Sequence, residues 1–173
     1  MNIMSENTST LVMNFDKGII DTLLSVPYES FAAADKDELT VVIANEKGLN
    51  FPEVTSDFIL SYHKEKQILA LSADCDAAIE TGFTSSNGHF YRTNRDDQIN
   101  MMGEAMALQA DPTITTVNWK TEDIGYYTHT KAEWLMVYGE AFKHKKEMLM
   151  KYAILKAKVY AATAHQDIIN AAW

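Results

Sequence analysis

"TKAEWLMVYGEAFKHKKEMLMKYAILKAKV", Thr130 to Val159, is the stretch that decides the fold of this chain. Trp134, Tyr138, Ala141, Met148, Tyr152, Leu155 and Val159 recur in alternating steps of four and three, the period of a helix with one apolar side. Lys145 is the single break in that register. Leu135, Phe142 and Leu149 widen the stripe. Thr130 and Glu133 stand at the spacing of a capping box, in which two side chains satisfy otherwise unpaired backbone donors at a helix start. The pattern predicts a helix of about 30 residues, about 45 Å long at 1.5 Å per residue. A helix of that length needs a partner of similar length.

The partner lies upstream. From Pro52 to the stop at Gly82, Val54, Phe58, Ile59, Tyr62, Leu69, Ala73 and Ile79 recur at helical spacing, as one long helix or as two broken near Ser72. "FTSSNGHFYRT" then reads as a hairpin turning at Asn87-Gly88, a pair that tolerates positive φ. Asn94 is a good N-cap, and Asp97 sits in the first turn, where a carboxylate meets the positive end of the helix dipole. Ile99, Met102 and Met106, with Ala105, line one face of that helix until Asp111-Pro112. "TITTVNW" and "IGYYTHT" follow as strands, and Thr163 with Gln166 suggests a second capping box for a short closing helix. Before residue 50, Asp16 can cap a short helix carrying Ile19, Ile20, Leu23 and Leu24 and stopped by Pro27. The β-branched "LTVVIAN" (Leu39 to Asn45) reads as a strand.

These elements predict a helix-dominated α+β fold: two long antiparallel helices, a shorter helix, and a small antiparallel sheet or hairpins. Residues 1–50 would form an N-terminal arm or docking segment and residues 51–173 the helical domain.

Composition narrows the class. With 173 residues, 47% hydrophobic and 23% charged, the chain has the make-up of a globular protein. A net charge of −9 repels phosphate, which argues against nucleic acid and against an anionic membrane surface as partners. No run reaches the roughly 18 apolar residues that a membrane span needs. "MNIMSENTST" lacks the basic start and apolar middle of a signal peptide, so synthesis in a cytoplasm is expected. The single cysteine, Cys75, has no partner for a disulfide or a zinc pair and reads as a buried structural thiol.

Chemistry is sparse. His89, Asp96 and Asp97 cluster in sequence, but neighbouring helical positions point about 100° apart and cannot chelate as a pair. They read as a helix start and not as a metal site. His63, His129, His144 and His165 are scattered without ligand spacing and read mostly as surface residues. No nucleophile elbow, P-loop or dinucleotide fingerprint occurs. No catalytic residue, cofactor or metal is therefore expected. The "KHKK" run (Lys143 to Lys146) is the only basic concentration, either a solvated face or a contact for an acidic partner. Trp173 must fold back or anchor something else. Candidate interface residues are Leu11, Val12 and Met13 in the arm, Lys143, Lys145 and Lys146 on the long helix, and Trp173.

Several motifs occur together in order: Ala77-Ala78, Gly82-Phe83, Asp96-Asp97-Gln98, Asn100-Met101 and Gly103. They continue with Trp119, Thr130, Lys156-Ala157, Ala161-Ala162-Thr163, Ile168 and Trp173. From about residue 55 to the end, the chain resembles an uncharacterised domain family of bacteriophage tail modules, found near tail-fibre and baseplate genes. The resemblance implies a context and no reaction: a structural tail protein, made in the host cytoplasm and placed in the virion tail. Its partners would be other tail proteins, with several copies per assembly. A tail-fibre assembly chaperone absent from the mature virion is the rival reading, and a small enzyme or host-factor inhibitor is a third.

Overall fold

A computed structural model of the chain describes residues 17–173. In chain order the elements are α1 (17–25), α2 (Ala33–Lys47), α3 (Ser56–Thr81), β1 (Phe83–Thr84), β2 (Phe90–Tyr91), α4 (Arg95–Ala110), β3 (Thr116–Thr121), β4 (Gly125–Thr130), α5 (Lys131–Ala161) and α6 (His165–Ile169). Helices dominate and the two small sheets are antiparallel hairpins, so the fold is the expected helix-rich α+β. The described residues fall into two compact units, 17–71 with 154–173, and 72–153. No helix among them is long and apolar enough to cross a membrane.

The first unit corrects one expectation. Leu39 to Asn45 is not a strand but part of α2. Its β-branched residues lose only a few tenths of a kcal/mol each in a helix. Against that, Leu39, Val42 and Ile43 stand at i, i+3 and i+4 and bury together with Ile19, Leu23, Ile59 and Tyr62. Burying each is worth about 1.5–3 kcal/mol, so packing overrides propensity. Gly48 ends α2 in the left-handed region, at φ 66°. The helix carrying Ile19 and Leu23 does stop before Pro27. Asp16, its expected cap, lies outside the described residues.

α3 buries Ile59, Tyr62 and Ile79 as expected, whereas Leu69 is 58% exposed and Ala73 also faces out. Their places on the inner stripe are taken by His63, Gln67, Leu71 and Cys75. Burial pushes the Cys75 thiol pKa up, with Asp76 adding to the effect. Thr163 and Gln166 form no capping box: Ala164 is the N-cap of α6, with no side-chain cap, and the Gln166 amide donates to Asn170.

In the second unit, β1 and β2 pair Phe83 with Tyr91 and Thr84 with Phe90. The turn closes one residue earlier than Asn87-Gly88 would suggest. The Gly88 N–H donates to the Ser85 carbonyl, and the Ser85 N–H to the His89 carbonyl, each at 2.9 Å. Ser86 and Asn87 sit at the turn centre, and only Gly88 takes a positive φ, 89°. β3 and β4 pair from Thr116↔Thr130 to Thr121↔Gly125. The Glu122 N–H donates to the Phe90 carbonyl and ties the two hairpins together. Asn94 caps α4 as expected, accepting from the Asp97 N–H at 2.9 Å. Thr130 accepts from the Glu133 N–H. The Glu133 carboxylate, the other half of the expected box, accepts from Asn87 at 3.1 Å. The core is Tyr91, Met101, Leu108, Val117, Trp134, Val137 and Ala141, with Trp119 packed on Trp134 at 4.4 Å between ring centroids.

Candidate functional site

The polar residues that suggest chemistry are separated by the fold. His89 meets Asp123 at 2.8 Å, and the Phe90 N–H also donates to that carboxylate. The hydrogen bond from His89, reinforced by the Phe90 N–H and by the N–H of Asp123 itself, holds the Asp123 pKa down at about 2. Asp97 instead accepts from Arg92 Nε at 2.9 Å, and Asp96 is exposed. His89 and Asp97 thus take different partners, and the group serves the hairpin link and the helix start.

The histidines correct a second expectation, since His63, His129 and His165 are buried. In the first unit the His63 and His165 rings stack, with Nδ1 to Nδ1 at 2.9 Å. In the second unit Asn87 donates to the Tyr91 hydroxyl at 2.8 Å, so that hydroxyl has its own proton for His129 Nε2, 2.7 Å away. Tyr91 and His129 are both fully buried, so no substrate atom can reach this pair. It pins the two hairpins to each other. His144 is partly buried, donating to the Ala78 carbonyl at 3.1 Å and stacking on Phe83.

A candidate contact surface lies between α4 and α5 in the second unit. Arg95, Gln98, Ile99 and Met102 form one wall, and Tyr138, Ala141, Phe142 and Lys145 the other. Each set is spaced i, i+3, i+4, i+7, so two helix faces run side by side for two turns. They enclose a mainly apolar hollow of about 460 Å³. Ile99 is 53% exposed, Met102 50% and Phe142 60%. A second, shallower hollow lies on the other side of Phe142, over Gly139 and beside Met150, Lys143 and Lys146. Phe142 is the ridge between them.

Ile99, Met102 and Met106 are therefore not the core face of α4. That face is Met101, Ala105 and Leu108, offset by about two residues. α4 carries two apolar stripes, and the sequence pattern alone does not say which one the fold covers. Leu135, Phe142 and Leu149 are likewise exposed on α5. Exposed apolar side chains scattered singly need no explanation, but a contiguous set is a candidate binding surface.

Lys143, Lys145 and Lys146 all border this face. Lys145 donates to the Gln98 side-chain carbonyl at 2.6 Å. Lys146 lies 5.5 Å from the centre of the Phe142 ring, and Lys143 reaches Glu147 at 3.8 Å. Trp173 is half-buried in the first unit. Leu11, Val12 and Met13 lie outside the described residues.

Residues 62–172, well over half of the chain, match the family model described as "Domain of unknown function (DUF4376)". The chain belongs to the DUF4376 family. No curated protein and no solved structure matches it. The DUF4376 match spans α4, both hairpins and α5 up to the turn after α6, and so includes every residue of the apolar hollow. Within this DUF4376 domain, Asp96-Asp97-Gln98 through Met101 divides its work. Asp97 secures the helix start, Gln98 bridges to α5, and Met101 fills the core.

Proposed function

We propose that this chain is a structural component of a bacteriophage tail, a tail-fibre or baseplate adaptor or decorating protein that works by protein–protein contact. The observation that carries the contact reading is the apolar α4–α5 face of Ile99, Met102 and Phe142, half or more exposed and bordered by lysines. Such a face loses free energy in water and regains it when a second surface covers it. The tail context comes from the ordered motifs running from Ala77-Ala78 to Trp173. On this reading the chain carries no reaction of its own, resides in the virion tail in several copies, and touches other tail proteins.

The test is the composition of purified particles of the phage that encodes the chain, measured by mass spectrometry and by antibody labelling in electron micrographs. Retention at the fibre or baseplate, at a fixed ratio to the other tail proteins, is expected. Absence from particles, together with co-purification with unassembled fibre, would replace the structural role by that of an assembly chaperone. Absence from both would end the tail reading.

A further inference from the structure

We infer that the α4–α5 groove receives an amphipathic helix whose apolar spine is flanked by carboxylates. The inference rests on the protein-contact reading above but not on the phage context.

The shape selects a helix. Both walls are helix faces, so their backbone N–H and C=O groups are consumed internally and offer no ladder to an extended segment. An incoming chain has to satisfy its own backbone, which a helix does. The lining extends from Arg95 to Met102 on one side and from Tyr138 to Lys145 on the other. Seven residues of helix rise about 10 Å, which matches apolar side chains at i, i+3 or i+4, and i+7 of the incoming helix. Gly139, which meets nothing within 4 Å at the position a Cβ would take, opens the second hollow for a neighbouring side chain. Methionines at the contact adapt to the shape of such side chains.

The charge selects acid. Arg95, Lys143, Lys145 and Lys146 border the two hollows, against the carboxylates of Glu147 in the lining and of Glu140, which feels the charge of Lys143. This local excess of positive charge sits on a chain of net charge −9. A second copy seated two-fold on the same face would bring one positively bordered patch up to another, because a two-fold interface uses the same patch twice. Like charges placed that way cost affinity. A partner presenting Asp or Glu on either side of its apolar positions meets the same groups favourably.

The experiment is selection of a displayed library of helical peptides, randomised at eight surface positions, on the full chain, with counter-selection on the Phe142→Asp variant. Phe142 is exposed, so that variant keeps its fold, which circular dichroism checks. Enriched peptides are expected to carry apolar residues at i, i+3 or i+4, and i+7 with Asp or Glu beside them. Their affinity should fall about tenfold or more on the Lys143→Glu, Lys146→Glu double variant, and should weaken as salt rises. Enrichment of basic or uncharged peptides, or of none that depend on Phe142, overturns the inference. So does a concentration-dependent dimer of the wild-type chain that Phe142→Asp abolishes, since the face would then belong to a second copy. Particle composition is read separately. A chain missing from virions leaves the groove result standing, and a groove that binds no acidic helix leaves virion location untouched.

Discussion

Lys145 of α5 donates its ammonium group to the side-chain carbonyl of Gln98 in α4 at 2.6 Å, while the amide end of Gln98 donates to the Thr93 carbonyl at 2.8 Å. One glutamine thereby joins three segments of the second unit. The lysine that interrupts the apolar repeat of α5 is the residue that meets it, so the interruption has a structural reason.

The first prediction concerns that bridge. The pair is only partly buried, so its coupling should be moderate, about 0.5–1.5 kcal/mol in a double-mutant cycle of Gln98→Ala and Lys145→Ala followed by urea denaturation. The bond also forms part of the rim of the hollow. Either substitution should therefore change the chemical shifts of Ile99 and Met102 methyl groups. A coupling indistinguishable from zero would mean that the two side chains do not hold each other in solution.

Gly82 gives the second prediction. It sits between α3 and β1 at φ 107°, and a Cβ built there would lie 2.1 Å from the Tyr91 carbonyl oxygen and 2.8 Å from Arg92 Cα. Both neighbours are backbone, so neither can swing aside. Gly82→Ala must strain the backbone and part the strand pair, costing about 3 kcal/mol or more. By contrast Gly103→Ala, inside α4 with open space around it, should stabilise by about 0.5–1 kcal/mol. Thermal melts of the two variants should move in opposite directions.

These cases show what the chain makes legible. Long elements announced themselves by period and punctuation: α5 by its stripe and Thr130, α4 by Asn94 and Asp111-Pro112, the second hairpin by its Thr and Tyr content. Short-range propensity misled where a helix was made of β-branched residues, because Val42 and Ile43 are held by contacts with α1 and α3 that no local window contains. The site was half legible. The lysines stood out by charge. The stripe of Ile99, Met102 and Met106 stood out as one face of a helix but not as an exposed one, because α4 has two apolar faces and only tertiary packing decides which is covered. The buried histidines escaped for a related reason. A polar residue on a core stripe looks like a break in the pattern until its partner, here 102 positions away, is in place.

Asp123 yields the third prediction. Its carboxylate is held near a pKa of about 2 first by the His89 hydrogen bond. A carboxylate with a depressed pKa contributes stability that is present above its ordinary value near 3.9 and is lost as pH falls through the folded value, so its window is about pH 4 down to about pH 2. Carbon-detected titration of the side chain should place the midpoint near 2, and His89→Ala should move it up towards 3.9. An unmoved midpoint would assign the effect to the Phe90 N–H and the local turn instead.

The last prediction comes from the His63–His165 pair. With both Nδ1 atoms 2.9 Å apart, one ring must donate and the other accept, so the pair is held only while at least one Nδ1 is unprotonated. Burial, followed by the neighbouring His165, pushes His63 down to about 4 from its ordinary 6.5, and burial lowers His165 as well, although Glu29 pulls that ring the other way. A base whose folded pKa is depressed is neutral in the folded state, whereas the unfolded chain takes up a proton below about 6.5. Stability is therefore fully present above pH 6.5 and is lost as pH falls from 6.5 to about 4. The gap for His63 alone corresponds to about 3 kcal/mol. Urea midpoints measured at pH 7.5, 5.5 and 4.5 should fall steeply, and His63→Phe, which keeps a ring of similar size on the His165 face, should flatten that slope even if it lowers stability at pH 7.5. If the variant and the wild-type chain lose stability in parallel over this range, the pair is not the titrating element and other groups account for the loss.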